Sequence, residues 1–349
     1  MDGLDQFSKL PMPILQHILS FLIVKDAAKT SVLSKTWNSA WSSLSCLNFG
    51  DIVFMESKNV LDQILANRQK QNISIQRFKA KLPDNRLKYV DNWIKILVAG
   101  NIKELHLEVF TSTNKLPEAI FAAKALNMLC LGGFKLELPS DGIKFSSLRE
   151  LHLIKSFLDD QVLDALCASC SHLEVLSFRE FGGLVCFQIA GTLPKLRIVN
   201  LVNCPELLQR VDITAPDLKY LHISSIIEEL NVIKITACKS SLKNLNLSSV
   251  AVTDQWLENL LPNLPNLELF YLSSCSSLKS LKISSDRLKY FKVVRCNNLI
   301  AVDLDTPNLL VFSSDFRYCR KVFQGGIDLL PTFKLKASHL SEVNLKFIL

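Results

Sequence analysis

The chain has 349 residues, is 48% hydrophobic and carries a formal net charge of +7. Such a composition folds around a sizeable core and excludes a disordered chain, and no apolar run reaches the ~18 residues of a membrane-spanning helix. The mild positive charge comes without a Lys/Arg run or an aromatic-interleaved basic stretch, so nucleic acid is not the expected partner, and neither is a membrane.

The opening MDGLDQFSKLP lacks a basic segment followed by an apolar one, so no secretory signal is expected. The ten cysteines are then expected as thiols in the cytoplasm and/or nucleus. From Leu10 to Trp41 the chain reads as three short helices. Ile14, Leu15, Ile18, Leu19 and Leu22 line a helical face. A second helix is expected to start at Asp26 as N-cap, and a third at Ser34, carrying Trp37, Ala40, Trp41 and Leu44. A unit of roughly 40 residues rarely holds itself together by its core alone, so its apolar faces call for a cover. Next come a helix-like Val60–Asn67, a strand-like Ile73–Phe78 and an amphipathic Tyr89–Val98, read together as a joint and an N-terminal cap for a solenoid.

From residue 102 the pattern L-x-x-L-x-L repeats. It starts at Ile102, Leu126, Leu148, Leu173, Leu196, Leu218, Leu242, Leu267, Leu288 and Leu309, at intervals of 21 to 25 residues, with a further copy at Leu340. That period is the leucine-rich repeat's and is tighter than an ordinary parallel α/β sheet keeps. Each L-x-L is expected as a short strand, its leucines inward and the residue between them on a concave face. The connections at Asp159 and Thr253 carry helical spacing with capping residues. Those between Cys204 and Val311 look extended, which predicts an uneven, flatter arc.

The first stretch, with Leu10-Pro11, Ile14-Leu15, Ile18 to Leu22, Lys25 to Ala28, Ser31 to Lys35 and the Trp37…Trp41 pair, resembles the F-box of plant F-box proteins that carry leucine-rich repeats. Trp93-Ile94 before the first repeat resembles the same family. The resemblance implies an α/β chain: a small three-helix F-box (4–48), a joint and cap (49–101), and a curved leucine-rich-repeat solenoid with a parallel concave sheet (102–349). Many relatives continue past the strand-like Leu345 to Leu349, so a truncated product, or an end completed by another chain, is expected. The family's F-box docks on a Skp-type adaptor and through it a cullin scaffold, as the substrate-recognition part of a Skp–cullin–F-box ubiquitin ligase.

Contact with the adaptor is expected from Leu10, Pro11, Ile14, Leu15, Ile18, Leu19, Val32, Leu33 and Trp37, about half of which should instead hold the helices to one another. The protein to be ubiquitinated, unnamed by the sequence, would lie on the concave face. Tyr220, Leu269, Tyr271 and Tyr290 form an aromatic-apolar patch there, with His222 beside them. Lys219 and Lys289 belong to a column of bases with Lys103, Arg149, Arg197 and Lys243. That column reads first as a solvated edge that keeps the solenoid soluble and second as a basic flank for an acidic protein or ligand.

No catalytic residue, cofactor or metal is expected. His106, His152 and His222 share a column but stand roughly 10 and 14 Å apart at ~4.8 Å per strand, too far for one ion. Cys167-x-x-Cys170 lacks a second pair of metal-ligand spacing. Cys204, Cys275 and Cys296 occupy the structural N/C position of the repeat. Phosphate-loop, dinucleotide, nucleophile-elbow and zinc-protease signatures are missing. Two other readings stay open: a non-ligase leucine-rich-repeat scaffold with a vestigial F-box, and a thiol enzyme centred on Cys167 or Cys170.

Overall fold

The first helix, α1 (Met12–Ser20), follows Pro11, whose φ of −55° sets the entry, and carries Pro13 in the first turn, where a missing N–H costs nothing. A computed structural model describes residues 9–51, 60–110, 114–228, 230, 232–236, 241–315 and 332–346. The chain divides into two compact units, Met1–Phe157 and Leu158–Leu349.

In the first unit, α2 (Val24–Thr30) begins before the expected Asp26. Burial of Val24 and Ala27 draws the chain into helix early, which leaves Asp26 in the first turn, 3.0 Å from Lys29 Nζ. There a carboxylate still complements the positive helix end. The third helix, α3 (Lys35–Ser42), starts as expected, with Ser34 Oγ accepting the Trp37 N–H at 3.3 Å. Leu15, Leu19, Ala27, Trp37, Ala40 and Leu44 make the core of these three helices.

Strand β1 (Cys46–Asp51) then crosses through α4 (Val60–Lys70) to β2 (Arg77–Leu82), which pairs with it in parallel. The chain continues through α5 (Val90–Ala99) to β3 (Glu104–Val109), and then through β4 (Asn114–Lys115), β5 (Met128–Gly132), β6 (Phe134–Lys135) and β7 (Glu150–Ile154). The sheet order is β1-β2-β3-β5-β7, with β4 and β6 as a separate pair. The stretch expected as a joint therefore supplies sheet strands of its own. Its strand lies later than Ile73–Phe78 because Ile73 is taken up by the turn that closes α4. Asn72 is left-handed (φ 53°) and the Ile73 N–H bonds the Arg68 carbonyl. Asn101 (φ 56°) closes α5 in the same way, with the Ile102 N–H on the Leu97 carbonyl.

Arg68, 4% exposed, ties α4 to the helices before it. Its guanidinium donates to the carbonyls of Trp41 (2.6 Å) and Ser42 at the negative end of α3, and it lies 5.2 Å from the Trp41 ring.

The second unit opens with α6 (Asp160–Ser169) and alternates the strands of two layers. One layer holds β8 (Val175–Arg179), β10 (Ile198–Cys204), β12 (Tyr220–Ser225), β14 (Asn244–Ser248), β15 (Leu269–Ser273), β17 (Tyr290–Val294), β19 (Val311–Asp315) and β21 (Glu342–Lys346) in one parallel order. The other holds the parallel sets β9 (Cys186–Ala190), β11 (Arg210–Thr214), β13 (Val232–Thr236), and β16 (Ser280–Ser284), β18 (Ala301–Asp305), β20 (Thr332–Lys336). The extended connections after Cys204 are these second-layer strands. Helix α7 (Asp254–Leu260) lies between β14 and β15.

Asp159 caps α6 through the Val162 N–H (2.9 Å), and Thr253 caps α7 through the Trp256 N–H (3.3 Å), as their spacing predicts. Asp160 and Asp254, at the first helical position, do something the spacing does not show. Each accepts the N–H groups that open the following second-layer strand, Val185 and Cys186 for Asp160, Lys279 and Ser280 for Asp254.

Between the layers the repeat leucines are buried, and Phe270, Phe291 and Phe312 stack in a column with successive centroids 5.6 Å apart. The architecture is a helical unit followed by leucine-rich repeats, as the sequence predicts.

Candidate functional site

Two surfaces carry the candidate residues. On the three-helix unit, α1 is apolar on two sides. Leu15 and Leu19 are fully buried, and Trp37 is buried with them. These three, expected among the adaptor contacts, sit inside the unit's own core because its helices are too short to fill that core otherwise. Leu10 and Ile18 are half-buried against the same core and Pro11 is exposed. Ile14, Val32 and Leu33 are 46, 84 and 66% exposed. Phe21, 72% exposed, and Ile23, 40%, join them and escaped the sequence reading. The signal for Phe21 was there: Ile14, Ile18 and Phe21 are spaced i, i+4, i+7, a second stripe beside the core stripe.

The other surface is the open face of the repeats. In the first unit Asn48, Lys79, His106, Cys130 and His152 stand opposite one another across β1, β2, β3, β5 and β7. Each imidazole turns to a glutamate, His106 Nε2 to Glu108 at 2.6 Å and His152 Nε2 to Glu150 at 3.3 Å. Cys130 Sγ lies 3.9 Å from His106, but burial, with Glu108 nearby, pushes its thiol up to about 11, so no thiolate is poised there.

In the second unit the expected recognition residues fall into register. Tyr220, Asn244, Leu269, Tyr290 and Val311 form one row across β12, β14, β15, β17 and β19, with Tyr290 45% exposed. His222, Asn246, Tyr271 and Lys292 form the next. Tyr220 Oη accepts from Asn246 Nδ2 at 3.0 Å, and Lys292 Nζ stands 5.5 Å from the Tyr271 ring centre. His222 is held below the ordinary imidazole value, first by burial and then by Arg179.

The third row holds the bases named from the sequence together with acids at the same repeat position. Backbone bonds link Lys219, Lys243, Glu268 and Lys289 in order, so an acid interrupts the run of bases. Glu268 takes Lys289 at 2.9 Å and Lys243 at 3.2 Å, which holds its carboxyl below the usual range, and Glu174 pairs with Arg197 at 3.6 Å. Two positions of that column carry acids that partly neutralise their neighbours.

A family model for the F-box domain matches residues 7–49. A second, described as the leucine-rich repeats of the FBD-associated F-box protein At5g56370, matches 90–240, and a third, the leucine-rich-repeat domain of At1g61320/AtMIF1, matches 232–326. The chain is an F-box/leucine-rich-repeat protein. Among its relatives in Arabidopsis thaliana, the F-box/FBD/LRR-repeat protein At5g56420 is 29% identical over 231 residues, covering 63% of this chain and 55% of its own length. The F-box/FBD/LRR-repeat protein At1g13570 is 29% identical over 223 residues, covering 58% and 52%. This F-box/leucine-rich-repeat chain thus spans little more than half the length of the curated relatives it matches.

Proposed function

We propose that the chain is the non-catalytic substrate receptor of a Skp–cullin–F-box ubiquitin ligase. Residues 4–48 dock on a Skp-type adaptor and through it on a cullin, 49–101 form the joint, and the repeats from 102 hold the protein to be ubiquitinated. The observation that carries this is the F-box surface: Ile14, Phe21, Val32 and Leu33 stay exposed while the core beneath them is complete. Large apolar side chains left outside a finished core mark an interface. The chain contributes proximity, raising the effective concentration of an acceptor lysine at a partner's reactive thioester. A thiol-enzyme role is disfavoured because burial pushes Cys167 and Cys170 up to about 12. Cytoplasm or nucleus is the location proposed, where such thiols stay reduced.

Co-expression of the full chain with a Skp-type adaptor, followed by size exclusion, tests the reading. A one-to-one complex is expected for the native chain. The variant Ile14→Ser/Val32→Ser/Leu33→Ser should lose the complex yet melt normally, since exposed substitutions change stability by about 0.5 kcal/mol or less. A folded native chain that forms no complex would leave a leucine-rich-repeat binding protein with a vestigial F-box.

A further inference from the structure

The open face of the second unit has a chemistry of its own. Its floor is the row Tyr220, Asn244, Leu269, Tyr290, Val311, which continues to Glu342 on β21. From Tyr220 to Val311 it spans roughly 19 Å at ~4.8 Å per strand. Four of its side chains there, Tyr220, Leu269, Tyr290 and Val311, are aromatic or aliphatic. All four side chains are partly or largely exposed, and none carries a formal charge at neutral pH. Tyrosine and large aliphatic side chains on a rigid sheet are the residue types that anchor a bound segment.

Cations border this floor on both sides. On one side Lys292 leans over Tyr271, and Arg179 lies near enough to His222 to depress its titration. On the other, the exposed Lys219, Lys243 and Lys289 stand one residue before Tyr220, Asn244 and Tyr290, with Glu268 shared between the last two. One acid between two lysines leaves the border positive. His222, held neutral, adds no charge to the floor.

We infer that this face takes an acidic peptide segment with an aromatic or large aliphatic anchor, the anchor seated on the Leu269–Tyr290 floor and the flanking carboxylates meeting the lysines on either side. The inference rests on the receptor reading and names the chemistry of its substrate. A protein segment is favoured over single-stranded nucleic acid because the bases border the apolar row instead of alternating with stacking rings along a groove. Charge complementarity of this kind sets specificity and association rate, so binding should weaken with salt.

The test is selection of a displayed random dodecapeptide library on the full chain, with the variants Tyr290→Ala and Lys292→Glu and the control Lys282→Glu in the second layer. Both face variants change exposed side chains, and thermal melts show whether each is folded; Lys292→Glu alone suffices if Tyr290→Ala is not. Enriched peptides should carry excess Asp/Glu around an aromatic or large aliphatic residue. Their binding should fall about tenfold in each face variant, as for an anchor position, and stay unchanged in the control. Enrichment of neutral or basic peptides, no enrichment, or insensitivity to both face variants would overturn the inference. So would a single-stranded RNA that binds more tightly than the peptides and is lost in the same variants. Adaptor binding, measured separately, keeps the two readings apart. Adaptor complex without acidic enrichment removes the substrate class alone, whereas acidic enrichment without adaptor complex removes the ligase reading and keeps the face.

Discussion

Burial sets the chemistry of the thiols one residue at a time. It pushes Cys167, Cys170 and Cys204 from the ordinary 9.0 up to about 12, and Cys130 up to about 11. Between pH 9 and 12 the folded chain therefore keeps protons that the unfolded chain has released. Stability is full below about pH 9 and falls as pH rises toward 12. His222 acts on the other limb: its value is lowered, so the unfolded chain takes up its proton first as pH falls below 6.5, and stability declines there too. Thermal midpoints against pH should show both limbs, with the alkaline one shallower in Cys204→Ala and the acid one shallower in His222→Gln. Iodoacetamide at pH 8 should leave Cys167 and Cys170 unlabelled until denaturant is added; fast labelling of the folded chain would contradict their placement. The burial of Cys204, Cys275 and Cys296 was legible from their position in the repeat. That Cys130 would lie beside His106 followed from the strand register, but the turn of His106 toward Glu108 did not.

At the scale of the element, one left-handed residue recurs at or just past the end of the open-face strands. Gly133, Lys155, Glu180, Asn203, Ser249, Ser274 and Arg295 all have positive φ, and each precedes a residue that points into the core. The N–H groups of Ser249, Ser274 and Arg295 bond carbonyls of the next repeat at 2.8 to 2.9 Å. Outside glycine this conformation costs roughly 1–2 kcal/mol, which the inter-repeat bond and the buried neighbour offset. Ser249→Gly should therefore raise stability by about 0.5–1 kcal/mol, the relief of strain exceeding the entropy glycine adds to the unfolded chain. Ser249→Val should lower it by more than that, and urea midpoints of the pair decide it. The caps at Ser34, Asp159 and Thr253 could be read from the sequence because a capping side chain bonds a backbone N–H three residues away. The start of α2 could not, since it depends on Val24 finding a core. Nor could β1, whose only partner among the described strands, β2, begins at Arg77, far along the chain.

On the scale of the whole molecule, stability in the repeats is a sum of neighbour terms. In the second unit the Phe270, Phe291 and Phe312 column and the paired ladders of β10, β12 and β14 are buried, whereas Val343 and Leu345 of β21 are 44 and 42% exposed. Amide exchange should accordingly be slower in β10, β12 and β14 than in β20 and β21. Equal protection along the unit would mean that it opens only as a whole.

The sequence by itself determined the repeat, its parallel strands, which leucines turn inward, and which residues share a row on the open face. All of these follow from periods of two and of about 23 residues, and a period fixes every copy at once. The tertiary structure decided what period cannot express. It put Leu15 and Leu19 in the core and left Ile14 outside, because a helix apolar on two sides has no intrinsic inner face until its neighbours choose one. It buried Trp37 on α3 while leaving Val32 and Leu33 exposed in the turn between α2 and α3. The repeat period already places Glu268 between Lys243 and Lys289. The tertiary structure decided that Glu268 pairs with both, turning a row of bases into a partly neutralised edge, because which side chains meet across strands depends on distances that a period does not state.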